Sequence, residues 1–233
     1  MEEIPFSRPS INQDVIKKIE EVIKSGWLIE GKHVEEFENK FAAFIGVKHA
    51  IAASNGTTAL FLALKAAGIK ENDEVIVPSL TFVASANAII HAGAKPVFAE
   101  VDENTFNIYP KSIEEKITKK TKAILPVHLY GQSCDMDEIN EIAEKNNLKV
   151  IEDSAQAIGA TYKRKMTGSL GDIGCFSFHP AKNMTTGEGG MLTTSNDEFA
   201  KEIRILKNHG MEKSVLQQKK ESATDREFVE IGY

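Results

Sequence analysis

Apolar residues along this chain follow two rhythms. Over residues 15–44 they recur at helical spacing: Val15, Ile16, Ile19, Val22 and Ile23 form one set, and Val34, Phe37, Phe41 and Phe44 a second. Each set lies on one side of a helix, so two amphipathic helices are predicted. Between them SGWLIEG (25–31) has a glycine near each end and a tryptophan, Trp27, that reads as exposed. From residue 49 the rhythm changes to short apolar runs at 49–53, 74–78, 95–101, 122–127, 149–153, 173–178 and 190–194. Helical patterns near 57–67, 82–92, 111–118 and 135–146 fall between most of these runs, and another covers 196–208. Continuous apolar strands separated by helices predict a mainly parallel sheet with helices on both faces, a doubly wound α/β domain. Residues 211–227 are polar and charged, which predicts a long mobile loop before FVEIGY turns apolar again.

The length of 233 residues suits one large domain, here with a helical N-terminal segment of about 47 residues. A net charge of −6, with Lys and Arg scattered among Asp and Glu, argues against nucleic acid or an anionic membrane as partner. Any anionic ligand must then be held by local groups. Cys134 and Cys175 are too few for a disulfide framework and lack metal-ligand spacing, so no metal is expected. No signal peptide and no membrane-spanning run is read in the sequence, so a cytoplasmic protein is expected.

Ligands of open α/β sheets sit at the C-terminal ends of the strands. Four features fall there. SNGTTAL (54–60) follows the first strand. Gly56 permits a tight turn, and Thr57 and Thr58 open a helix whose N–H groups and hydroxyls suit a phosphate. An ordinary capped strand-turn-helix reads the same way. SLTFVASANAI (79–89) places Phe82 at a helix start, as a stacking surface for a flat ring or as a core residue. VIEDSAQAIGA puts Asp153 at the end of a strand, where it either pairs with a protonated ring nitrogen or caps the next segment. Gln156 lies three residues on, and alternation turns Glu152 to the other face. CFSFHPAKNMTTGEGG (175–190) sets Lys182 in a turn between an aromatic strand and glycines. There its amine could form an imine with an aldehyde cofactor, while Ser177 supplies a phosphate contact.

Taken together, SGWLIEG, SNGTTAL, VPSLTFVASANAIIHAGAKPVFAEVD, PVHLYGQ, VIEDSAQAIGA and SFHPAKNMTTGEGGM resemble the DegT/DnrJ/EryC1/StrS group of sugar aminotransferases, of the fold-type I pyridoxal-phosphate enzymes. The resemblance covers almost the whole chain. It implies the large domain of that fold and pyridoxal 5'-phosphate as cofactor. Lys182 would be the imine-forming lysine and later proton carrier, Asp153 the partner of the pyridinium nitrogen and Gln156 a neighbour of the ring hydroxyl. Phe82 would stack on the ring, and Gly56, Thr57, Thr58 and Ser177 would surround the phosphate. Related sugar dehydratases carry histidine in place of this lysine, so Lys182 argues for amino transfer. The implied reaction moves an amino group, from glutamate as expected donor, to a keto-sugar carried on a nucleotide. The resemblance further implies a homodimer with shared active sites, which Trp27 and the 211–227 loop would face. It also implies that the chain stops before the small C-terminal domain such proteins carry.

Two other readings remain open on the sequence: a different pyridoxal-phosphate reaction on the same scaffold, and a module that folds and dimerises without turnover. A nucleotide-dependent dehydrogenase is excluded by the missing GxGxxG fingerprint.

Overall fold

The computed structural model describes residues 4–5, 7–212 and 229–233. Two helices open the chain, α1 (Gln13–Lys24) and α2 (Lys32–Ile45). Then come β1 (His49–Ala53), α3 (Gly56–Ala66), β2 (Glu74–Pro78), α4 (Ala84–His91), β3 (Lys95–Ala99), α5 (Pro110–Lys116) and β4 (Thr121–Ile124). The order continues with α6 (Met136–Asn146), β5 (Lys149–Asp153), a hairpin of β6 (Thr161–Tyr162) and β7 (Lys165–Met166), β8 (Ile173–Ser177), β9 (Gly190–Thr194) and α7 (Asp197–Leu206). The seven strands predicted from apolar runs are the seven strands of the main sheet, ordered β1-β9-β8-β5-β4-β2-β3. All pair in parallel except β9, which runs antiparallel to both β1 and β8. The hairpin is too short for its apolar pattern to stand out. It turns through Lys163 and Arg164, both at positive φ without being glycine. The loop predicted over 211–227 lies, from residue 213 on, outside the described residues.

Helices cover both faces, as continuous apolar strands require. On one face α3, α4 and α7 pack Leu60, Ala63, Ile89 and Ile203 over Ile51, Val75, Ile151 and Ile173. On the other, α5 and α6 pack Ile113, Ile139 and Ile142 over Ile76, Ile124 and Val150. Beside them the Phe41 ring of α2 meets Phe176 and Phe178 edge-on, with centroids 5.0 and 5.5 Å away.

Alternation along β5 sends its two terminal carboxylates to opposite faces of the sheet. Val150 faces the α5/α6 layer and Ile151 the α3/α4 layer. Glu152 therefore faces the former and Asp153 the latter. Ser177, two residues beyond Cys175 on β8, shares the face of Asp153, because Asp153 and Cys175 are register partners.

One N-terminal expectation holds and one changes. α1 is the expected helix, though none of its residues is buried: Val15, Ile16, Ile19 and Ile23 are 41–60% exposed. Trp27 is half-buried rather than exposed. Its indole lies against Gly31 and donates to the Glu30 carbonyl at 3.2 Å. The same segment is tied to the core through Lys207, whose amine reaches Glu30 at 2.8 Å and the Ala52 carbonyl at 3.0 Å.

One close approach is a test of the packing. A methyl group on Gly174 would lie 2.4 Å from the Cα of Gly168 and 2.5 Å from Oγ1 of Thr193. Gly174→Ala should destabilise the fold by about 1–3 kcal/mol, as overpacking does. The effect should read as a lower urea midpoint with an unchanged slope; an unchanged midpoint would show that the contact yields freely.

Candidate active site

The site forms where β1, β2, β5 and β8 end. Asn55 caps α3, its side chain accepting the Thr58 N–H at 2.8 Å. The N–H groups of Gly56 and Thr57, in the first turn, have no partner within the helix and are free for an anion. Gly56 is required by contact: a Cβ there would sit 2.8 Å from the Cβ of Ser177 and 3.2 Å from its hydroxyl. The helix start and the end of β8 are thus pressed together, with Ser177 at the junction. Thr57 is exposed. The Thr58 hydroxyl is half-buried and accepts from Ser54 at 3.2 Å, leaving its own proton to donate.

Asp153 is the buried charge of the site, 6% exposed. Ser85 of α4 donates to its Oδ2 at 2.7 Å, and the Ala155 N–H to its Oδ1 at 3.1 Å. The capping contact expected of Asp153 is present, in the bond from the Ala155 N–H. Burial pushes its carboxyl above the usual range, while Ser85, Ala155 and the Lys182 ammonium pull it down. Burial prevails, so the group lacks a full complement of positive charge. Lys182 is half-buried, in a turn closed by its own N–H on the His179 carbonyl at 2.8 Å. Its amine lies within electrostatic reach of Asp153. The loop after it folds back through Thr185 and Thr186, both bonded to the Phe178 carbonyl.

Phe82 is 66% exposed, one turn before Ser85, the residue that donates to Asp153. That exposure excludes the core role for this residue. Gln156 is half-buried and spends its carbonyl on the Tyr130 N–H at 3.1 Å. Of the eight expected positions, Gly56 and Ser177 are in direct contact, Ser177 shares the sheet face of Asp153, and Lys182 is within electrostatic reach of Asp153. Ser85 was not anticipated. The signal was its place three residues after Phe82, on the sheet side of the helix.

A cavity of about 970 Å³ opens beyond the first turn of α3, lined by Trp27, Ser54, Thr58, Leu62, Lys207 and Tyr233. It contains neither Asp153 nor Lys182, and its buried amine, Lys207, is already paired.

These residues suit a phosphorylated pyridine aldehyde. The buried anion needs a cation, the amine is a nucleophile, the ring offers a face, and the glycine junction offers N–H groups.

This chain belongs to the DegT/DnrJ/EryC1/StrS aminotransferase family, whose sequence profile matches residues 9–233. It is 51% identical over 210 residues to GDP-perosamine synthase of Caulobacter vibrioides, covering 90% of this chain and 57% of that one. An aminotransferase from Psychrobacter cryohalolentis has the same fold, with a TM-score of 0.91 at 44% identity, over 98% of this chain and 59% of the other. NtdA of Bacillus subtilis, solved with bound cofactor PMP, gives 0.85 at 36% identity, over 95% of this chain and 48% of the other. Across seven curated relatives, this chain spans 54–60% of their length.

The Asp153 environment sets a pH dependence. Its folded-state pKa is raised, so the folded chain holds that proton more tightly than the unfolded chain. The resulting stability is complete below the unfolded carboxylate value and is lost as pH rises through the folded value. Without cofactor, Asp153→Asn should therefore melt above the wild type at neutral pH, with the gap closing as pH falls into the ordinary carboxylate range. A variant that melts lower at neutral pH would contradict the sign.

Proposed function

We propose that these 233 residues form the cofactor-binding large domain of a pyridoxal-phosphate aminotransferase acting on nucleotide-linked keto-sugars. The observation that carries the reading is the shared face of β5 and β8. It gathers a buried, cation-poor carboxylate, an amine in a fixed turn and a glycine–serine junction at a helix N-terminus.

When bound, pyridoxal phosphate supplies an aldehyde that captures amines and a pyridinium that withdraws electrons. The chain's residues do the rest. Asp153, oriented by Ser85 and the Ala155 N–H, would hold the proton on the ring nitrogen. Phe82 would offer a face to the ring, and Gln156 would serve the ring hydroxyl. The N–H groups of Gly56 and Thr57, with the hydroxyls of Thr57, Thr58 and Ser177, take the phosphate. The Lys182 amine would hold the cofactor at its aldehyde, with loss of water, and, once freed, would serve as the base and acid that carries the proton in amino transfer. Glutamate is the proposed donor.

The nucleotide-sugar substrate rests on the relative named GDP-perosamine synthase, since the sugar pocket is not defined by the residues above. A homodimer with shared sites is supported by Leu80, Phe82 and Val83, which stand 46–66% exposed between β2 and α4. A cytoplasmic setting is supported by two buried free cysteines. No helix among the described residues is long and apolar enough to cross a membrane.

Incubation with pyridoxal phosphate should give a visible absorbance, and borohydride should then fix the cofactor at the Lys182 amine. Lys182→Ala should abolish both and lower amino transfer to keto-sugar nucleotides by roughly 10³-fold. Retained labelling in the variant would refute the assignment. Turnover of free keto acids in preference to keto-sugar nucleotides would move the substrate class.

A further inference from the structure

The residue next to Asp153 is also a buried carboxylate, and the proposed chemistry does not use it. Glu152 is 0% exposed on the opposite face of β5. Its Oε1 accepts the N–H groups of Leu170 and Gly171, each at 2.7 Å. Its Oε2 accepts the Gly168 N–H at 2.7 Å and lies 2.9 Å from Nε2 of His128. Four donors converge on one carboxylate. They join β5 to the turn before β8 and to the segment after β4.

His128 is likewise 0% exposed. Burial works against charge on its ring, while a draw from Cys134 and Glu152 works for it. The draw from Cys134 exists only for a thiolate, and Sγ instead donates to the Val127 carbonyl at 3.1 Å. The N–H of the same cysteine donates to Nδ1 at 3.1 Å, so Nδ1 carries no proton. The ring is neutral and donates its single proton from Nε2 to Glu152.

The backbone of His128 meets Asp153 directly. Its N–H donates to the Asp153 carbonyl at 3.0 Å, and the Asp153 N–H donates to Pro126 at 2.9 Å. On the other side the Ser154 N–H is held by Cys175 at 2.8 Å. The strand end bearing Asp153 is therefore clasped from both neighbours, and Glu152 ties the same strand to His128 on one side and to the turn leading into β8 on the other.

We propose that Glu152 and neutral His128 are positioning residues that set the Asp153 carboxylate against the ring nitrogen of the cofactor. The proposal rests on the cofactor reading above. Glu152→Gln preserves shape but turns an amide N–H₂ towards two donors, whichever way the side chain is placed. It should displace Asp153 without removing it.

The test compares binding of pyridoxal phosphate with binding of its 1-deaza analogue, in which carbon replaces the ring nitrogen, using the full natural chain. Glu152→Gln should weaken pyridoxal phosphate on the order of tenfold, as loss of an outer-shell orienting group does. The analogue, which offers Asp153 no nitrogen, should change little. Equal losses for both ligands, or none for either, would overturn the proposal and leave the cofactor site standing. Failure of the wild type to bind pyridoxal phosphate would remove the cofactor reading itself. Should the variant not fold, ring-nitrogen NMR of His128 in the wild type decides. A single proton on Nε2 between about pH 5 and 8 supports the clasp, and a doubly protonated ring refutes it.

Discussion

Two adjacent carboxylates at the end of a buried strand constrain this molecule. Neither can stay charged in an apolar interior without partners. Because side chains alternate along β5, Glu152 and Asp153 must be solved separately, one on each face of the sheet. Glu152 is satisfied within the fold by three backbone N–H groups and a histidine. Asp153 has a hydroxyl and one backbone N–H, and burial still holds its carboxyl above its ordinary range. The first carboxylate contributes to architecture. The second keeps an electrostatic demand that a cationic ring can meet.

The rest of the site is set by how the strands end. Parallel order brings β5 and β8 side by side, so Asp153 and Ser177 emerge on one face. The start of α3 reaches Ser177 only because residue 56 lacks a side chain. The antiparallel β9 returns the chain after the Lys182 loop. This loop is closed at both ends by Phe178, which accepts from Thr185 and Thr186 and donates to Gly189. The amine is thus carried by a loop anchored at its roots, within electrostatic reach of the carboxylate.

Much of this was legible in the sequence, for physical reasons. Strands buried on both faces give unbroken apolar runs, and all seven were visible. Alternation placed Asp153 and Glu152 on opposite faces without coordinates. What stayed hidden depends on partners distant in sequence. The apolar stripe of α1 forecast a helix correctly but could not say what covers it. Trp27 read as exposed because the pattern around it does not show that Gly31 makes room for the indole. Ser85 is one serine in a small-residue helix until Asp153, 68 positions later, selects it. His128 sat inside a recognised motif, but its tautomer depends on the Cys134 N–H, which only the folded chain presents.

The charge of a ring nitrogen facing Asp153 is the central claim. Its most direct measurement is the ¹⁵N shift of that nitrogen in protein loaded with labelled pyridoxal phosphate, followed as pH is raised. A nitrogen that stays protonated well beyond the pH at which the free cofactor loses its proton is the predicted result. A nitrogen that titrates as it does in free solution would contradict the claim.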